Sequence, residues 1–334
     1  MMNLQQLADW LDQAQTVAGA LAPGDVLIQR VHTDTRTLAP GDLFVALRGE
    51  RFDGNDFLAE ARARGAVAAI CQGDGAAEQL RQAGLPGLVV LDAKLALAQL
   101  ATHWRAQFTL PLIAVTGSNG KTTVTQMIDS ILRAWQPQAC LATQGNLNND
   151  IGVPLTVLGL RAHHRIAVVE LGMNHPGEIA ALAAIAQPTV ALVNNAQREH
   201  LEFMATVEAV AQENGAVIDA LPKDGVAVFP VDDVYSALWA AKTGARARLC
   251  FGQPVAVGAS RHDEAKDVAT MSVVVHATQA IWSGAAWQVG AMTPQGALHY
   301  ALHIAGAHNV KNSLAAVACA LAAGVPLAAI AAGL

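Results

Sequence analysis

Residues 110–124 read LPLIAVTGSNGKTTV, an apolar run that breaks at glycine and resumes after a lysine and two threonines. LPLIAV has the length and content of a buried strand, and KTTVTQMIDSILRAW, residues 121–135, reads as a helix. Passing from strand to helix through glycines gathers backbone N–H groups, a helix N-terminus and one ammonium around a single point, which suits a polyphosphate. Lys121 is expected to neutralise the β- and γ-phosphates and the Thr122 hydroxyl to ligate Mg²⁺, with Thr116, Gly117, Ser118, Asn119, Gly120 and Thr123 completing a nucleotide-phosphate loop. The fuller P-loop pattern has glycine where this chain has Val115, so the loop is a shortened variant.

Working outward, the chain alternates strand-like and helical stretches on both sides of the loop, so the fold class is α/β. Upstream lie VLIQRVHTDT, DLFVAL, AVAAIC and GLVVLD, interleaved with FLAEARARG and KLALAQLATHWRAQF. They predict a small N-terminal α/β domain over 1–108, closing near Phe108. Downstream, RIAVVEL, TVALVNN and GVAVFPV alternate with helices such as TVEAVAQENGAVIDAL, the order that produces a mostly parallel sheet. This central P-loop domain is expected to run over 109–334, with MSVVVHAT, AAWQVGAM and ALHYALHI forming a short antiparallel appendage. The tail SLAAVACALAAGVPLAAIAAGL is long enough to span a membrane, but Gly324-Val325-Pro326 interrupts it, so two packed helices are predicted and no membrane insertion.

Bulk composition removes several function classes. A net charge of −6 gives no basic footprint for a nucleic-acid backbone, so no nucleic-acid partner is expected. The four cysteines, Cys71, Cys140, Cys250 and Cys319, lie far apart without ligand spacing, and read as buried thiols in a cytoplasmic protein. MMNLQQLADW has amphipathic spacing and does not resemble a signal peptide.

Further polar residues sit where chemistry would need them. Glu170 closes a predicted parallel strand, at the edge where open α/β sheets bind ligands, and a carboxylate there beside a phosphate loop can hold metal. His200 follows another strand end, at Asn195. Asn146, Asn148, Asn149 and Asp150 crowd the loop GNLNNDIGVP (145–154), a pattern that turn chemistry alone also produces. Asn309 and Asn312 lie one turn apart and can share a helix face, the bland reading being a helix cap followed by a surface amide.

The loop TGSNGKT, with GNLNNDIGVP, VVELGMNHPGEIA (168–180), ALVNN followed by His200-Leu201-Glu202, and AGAHNVKNSLAA (305–316), resembles the Mur ligase superfamily over nearly the whole chain. These are ATP-dependent amide-bond enzymes of peptidoglycan precursor synthesis, and the motifs look most like the ligase that acts last. That resemblance implies a uridine-nucleotide-binding N-terminal domain and joining of D-Ala-D-Ala to UDP-N-acetylmuramoyl-tripeptide (UDP-MurNAc-tripeptide) through an acyl phosphate, by a monomer using ATP and two Mg²⁺ ions. It further implies that Glu170 and His200 bind the second Mg²⁺ and that Lys121, Glu170 and His200 form the catalytic set. Asn309 and Asn312 would lie near the adenine, and the loop Asn146, Asn148, Asn149 and Asp150 would face the metals and the nucleotide-sugar peptide. VHTDTRTLAPGDLFVALRGERFDGNDF is similar to the family's uridine-diphosphate stretch, which singles out Thr35, Arg36, Arg48 and Gly49.

The chain departs from the family twice. Many Mur ligases bridge the metal site with a carbamylated lysine, and Asn214 occupies that position here, so the second Mg²⁺ is expected to lose an anionic partner and the protein to work without a carbamate. The family also carries an amine-binding, Rossmann-like C-terminal domain, whereas this chain stops at Leu334. The 334 residues are therefore expected to bind ATP and the uridine nucleotide with very weak or absent turnover. Two other readings stay open: a sister enzyme, the diamino-acid-adding ligase or folylpolyglutamate synthase, and a P-loop ATPase or switch that ligates nothing.

Overall fold

The computed structural model describes residues 1–198, 204, 206–252 and 274–334. It divides into two compact units, one of residues 1–108 with 150–161, the other of 109–149 with 162–334. The sequence places 150–161 in the central domain. The segment instead belongs to the first unit, where its helix Gly152–Val157 packs on the helix Ala93–Arg105 and the Trp104 indole N–H donates to the Leu160 carbonyl at 3.1 Å.

In the first unit a short antiparallel pair, β1 (Met2–Asn3) and β3 (Leu27–Ile28), flanks a five-stranded sheet. That sheet is built from β2 (Gln15–Val17), β4 (Arg30–His32), β5 (Asp42–Val45), β6 (Ala68–Gln72) and β7 (Gly87–Val90), in the order β2-β7-β6-β5-β4. All its pairings are parallel except that of the edge strand β2. The core under one face packs Phe44, Ala69 and Cys71 against Leu58, Ala61 and Leu80 from the covering helices. At the N-terminus Asn3 closes a capping box with Gln6, and Leu4 and Leu7 are buried, so the amphipathic helix expected there forms over Leu4–Trp10.

The second unit is a nine-stranded sheet. Its strands are β8 (Leu112–Thr116), β9 (Cys140–Ala142), β10 (Ile166–Glu170), β11 (Val190–Val193), β12 (Val226–Pro230), β13 (Ala247–Phe251), β14 (Val274–Trp282), β15 (Trp287–Thr293) and β16 (Gly296–Leu302). The order is β16-β15-β14-β13-β12-β11-β8-β10-β9, parallel as far as β14 and antiparallel through β15 and β16. The predicted antiparallel appendage is thus a continuation of the main sheet. A buried face of β8, β10, β11 and β12 packs against the helices Lys121–Trp135 and His308–Ala322. In the first of these Val124, Met127, Ile128, Ile131 and Leu132 recur at the three-and-four spacing of a single helix face.

The apolar tail resolves into the helices His308–Ala322 and Leu327–Gly333, separated at Gly324. Among the described residues no helix is long and apolar enough to cross a membrane. All four cysteines are free and buried, and burial pushes the Cys71 thiol up to about 12.

Candidate active site

Strand order decides what meets what. The phosphate-loop strand β8 lies between β10 and β11, with Val115 opposite both Glu170 and Leu192, and Thr116 opposite Val193. Because the strands are parallel, their C-terminal ends share one edge, and Gly117, Glu170 and Asn194 emerge there together. Val115 is fully buried within β8, so strand pairing continues through the position where a longer loop would turn.

The loop between β8 and the helix Lys121–Trp135 requires glycine twice. Gly117 has φ +133°, and a Cβ on it would stand 3.0 Å from the backbone nitrogens of Asn194 and Asn195. Gly120 has φ +79°, with the Asn312 amide oxygen 2.7 Å from where its Cβ would be. Only a residue without a side chain satisfies both the backbone and the neighbours. The Lys121 ammonium folds over its own loop, donating to the Gly117 carbonyl at 2.5 Å and the Ser118 carbonyl at 3.2 Å.

The segment after β11 fastens this loop. Ser118 N–H donates to the Asn195 carbonyl at 3.1 Å, and Asn119 N–H to the Asn195 side-chain oxygen at 2.9 Å. The amides of Asn194 and Asn195 both donate to the Asn119 carbonyl, at 2.8 and 2.9 Å. Asn194 also reaches Asn312 Oδ1 at 3.1 Å, and Asn312 donates to Asn309 at 3.0 Å. Asn309 and Asn312 are therefore not surface amides: both are buried and linked by hydrogen bonds to the loop. Gln197 joins the loop as well, its N–H donating to Ser118 Oγ at 2.9 Å and its side-chain oxygen accepting from the Asn119 amide at 2.7 Å, and the sequence reading singles out none of Asn194, Asn195 and Gln197 as loop partners. The Asn-Asn pair at the end of an apolar strand was the available sign.

Glu170 is 1% exposed. Its Oε1 accepts from Thr122 Oγ1 at 3.2 Å and from the Asn148 amide at 2.8 Å, while its backbone N–H donates to Thr143 Oγ1 at 2.9 Å. Its Oε2 is buried with no hydrogen-bond partner. A buried carboxylate oxygen left unpaired beside a threonine hydroxyl and a phosphate loop fits Mg²⁺, which takes one or two carboxylates and draws its other ligands from phosphate and water. Among the described residues no three His, Cys, Asp or Glu side chains converge on one point. His200 lies outside the described residues. Thr123 is half-buried, and Asn146 and Asn149 are exposed on the loop that brings Asn148 to Glu170.

Asn214 is fully buried, and its Oδ1 accepts a 2.6 Å hydrogen bond from Thr116 Oγ1. Asp150 pairs with Lys94 at 2.8 Å within the first unit.

The first unit holds a cleft of about 460 Å³. Thr35 and Arg36 line it together with Asp34, Phe52, Phe57 and Glu60. Phe52 and Phe57 are exposed, 56% and 38%, and offer aromatic faces that sequence reading overlooked. Arg36 forks onto Asp34, with N–H···O distances of 2.7 to 3.2 Å, and this guanidinium holds the Asp34 carboxyl down at about 2. Arg48 is not among the lining residues: its guanidinium binds Asp53 and covers Gly73. Gly49 lies against the Phe52 ring: a Cβ there would stand 2.5 Å from it and require the exposed ring to shift.

Comparison with known proteins agrees with this architecture. Residues 115–320 match the Mur ligase middle domain, and residues 27–105 match the Mur ligase family catalytic domain. The UDP-N-acetylmuramoyl-tripeptide--D-alanyl-D-alanine ligase of Escherichia coli K12 is 38% identical over all of this chain and 67% of its own length. The enzyme of the same name from Haemophilus influenzae is 37% identical over 93% of this chain and 63% of its own length. A crystal structure of MurF from Acinetobacter baumannii superposes with a TM-score of 0.83 at 35% identity, over the whole of this chain and 67% of that one. The chain thus spans about two thirds of the length of these relatives. With both family domains matched in order and the phosphate loop at the centre of the matched sheet, the chain belongs to the Mur ligase family.

Proposed function

We propose that this protein carries out the nucleotide-binding and carboxylate-activating part of an ATP-dependent amide-bond ligation, joining D-Ala-D-Ala to UDP-MurNAc-tripeptide. The observation that carries this reading is the buried, half-satisfied Glu170 carboxylate beside Thr122, at the start of the phosphate-loop helix. The substrate chemistry comes from the similar enzymes, which are named for it.

A carboxylate is a poor acyl donor because its oxygen leaves badly. In the proposed reaction that oxygen attacks the γ-phosphorus of ATP, and the bond from that phosphorus to the ADP oxygen breaks. The amine of D-Ala-D-Ala then attacks the acyl carbon, the C–N bond forms, and inorganic phosphate leaves as the amine gives up a proton. Little of this asks the protein for covalent chemistry, so its task is positioning and charge neutralisation. Lys121 is the ammonium within reach of the transferring phosphate, and the N–H groups at the start of the helix Lys121–Trp135 face the same point. Mg²⁺, when bound, disperses charge on the phosphate oxygens, and Thr122 with Glu170 are the described residues suited to hold it. His200 is proposed to join them, and Asn309 and Asn312 to border the adenine. In the first unit Phe52 and Phe57 provide stacking faces for the uracil ring, with Thr35 and Arg36 beside them. The reaction is proposed to run in the cytoplasm, where ATP is available.

Calorimetric titration with UDP-MurNAc-tripeptide, with and without Mg²⁺ and a nonhydrolysable ATP analogue, tests the assignment. Saturable binding of both ligands is expected. ATP binding without affinity for the uridine nucleotide would leave only a P-loop ATPase or switch, and preference for a folate would move the protein to the folylpolyglutamate branch.

A further inference from the structure

We propose that Asn214 is a positioning residue for the phosphate loop, acting through the Thr116 hydroxyl; the role rests on reading that loop as the ATP site. Asn214 stands in the middle of the helix Val207–Asp219 with no exposed surface. Its Nδ2 donates to the Val210 carbonyl one turn back at 3.0 Å, and its Oδ1 accepts from Thr116 Oγ1 at 2.6 Å. Both ends of the amide are engaged, which fixes its orientation: the nitrogen must face Val210 and the oxygen must face Thr116.

Asparagine is a poor helix residue, and a buried amide loses its water, so this side chain is kept in place by the two bonds it makes. What it holds is the last residue of β8. Thr116 is 1% exposed and is bonded covalently to Gly117, whose carbonyl receives the Lys121 ammonium. The Thr116 carbonyl accepts from Asn194 N–H at 2.9 Å, and its hydroxyl is held by Asn214. Immediately beyond it the backbone turns at Gly117, φ +133°, a conformation open to glycine, so the bonds on Thr116 set where that turn begins.

The neighbouring residue does a matching job. Glu213 accepts from the N–H groups of Gly177 and Ile179, both at 2.9 Å, at the start of the helix Glu178–Ala186 that follows Glu170. Two consecutive side chains of one helix therefore brace both segments, the one that carries Lys121 and the one that carries Glu170. The Asn214 amide is engaged on both sides and carries no charge. An uncharged brace stands where the family resemblance would put an anionic bridge.

Calorimetry of a nonhydrolysable ATP analogue with Mg²⁺ on the unaltered chain, Asn214→Leu, Thr116→Val and the double variant tests this. Each single change is expected to weaken nucleotide binding about tenfold, and the double change no further, because both remove the same bond. Thr116→Ser keeps the hydroxyl and should stay within about twofold of the unaltered protein, a rescue that a packing role would not give. UDP-MurNAc-tripeptide affinity should be unmoved throughout. Should Asn214→Leu fail to fold, the isosteric Thr116→Val carries the test alone. Unchanged nucleotide binding in Thr116→Val, or effects of the two changes that multiply to about a hundredfold, would overturn the proposal. Absence of ATP binding by the unaltered chain would overturn the reading of the loop and this role with it.

Discussion

At the scale of single residues, the site depends on groups held in states that water would not impose. Glu170 keeps one oxygen in two hydrogen bonds and the other in none. Replacing it by Gln preserves the size of the side chain while removing the charge that a cation would meet. Glu170→Gln is expected to lower Mg²⁺-dependent nucleotide affinity at least tenfold while leaving Mg²⁺-free binding nearly unchanged, as equilibrium dialysis with and without EDTA would show. His32 makes the opposite demand. The Asp34 N–H points at its Nδ1 at 3.4 Å, so that nitrogen acts as an acceptor, and burial followed by the nearby Arg30 charge lowers its pKa below the ordinary 6.5, against the pull of Asp42 and Asp34. A lowered folded-state pKa means that the unfolded chain takes up the proton first. The stability His32 contributes is complete above about pH 6.5 and is lost as pH falls through the folded value. The melting temperature should therefore drop between pH 7 and pH 5, and His32→Gln should flatten that drop.

At the scale of elements, one helix connects the core to the loop. Lys121–Trp135 buries Val124, Ile128, Ile131 and Leu132 against the sheet while its first turn carries Lys121 and Thr122. Ile128→Ala would leave a cavity under the helix at a cost of about 2–5 kcal/mol, measurable by chemical denaturation. The same helix also meets the C-terminal helix Leu327–Gly333: a Cβ on Gly333 would lie 2.4 Å from the Ile131 Cα, so the two backbones meet without a side chain between them there. This periodic helix was plain in the sequence because its apolar residues fall on one face. The short strands β9 and β13 were not foreseen: β9 has three residues, and β13 opens with exposed Ala247 and half-buried Arg248 before its three buried positions. Pattern reading needs several alternations to separate a strand from a loop.

At the scale of the whole molecule there are two units with separate cores, Phe44 and Leu80 in one, Ile113 and Ile128 in the other. The cleft lined by Thr35 and Arg36 belongs to the first and the phosphate loop to the second. Hydrogen exchange followed by mass spectrometry should show UDP-MurNAc-tripeptide slowing exchange around residues 33–60, and Mg²⁺ with the ATP analogue slowing it around 116–122. Protection of residues 33–60 by Mg²⁺ and the ATP analogue alone would contradict this division.

Much of the protein was legible in the sequence because the relevant information is local. Strand, glycine turn and helix follow one another within 110–135, and chain order alone makes the sheet parallel. The cation, hydroxyl and carboxylate at 121, 122 and 170 were legible for the same reason, being the polar residues at strand and helix ends. Tertiary structure decided the rest. It placed β8 between β10 and β11, buried Asn309 and Asn312, drew 150–161 into the first unit, and left Arg48 on Asp53 while Phe52 and Phe57 came to line the cleft. These outcomes depend on which distant groups compete for the same space and the same hydrogen bonds. No window of sequence contains both competitors: Asn214 and the Thr116 hydroxyl that fixes its amide stand 98 residues apart.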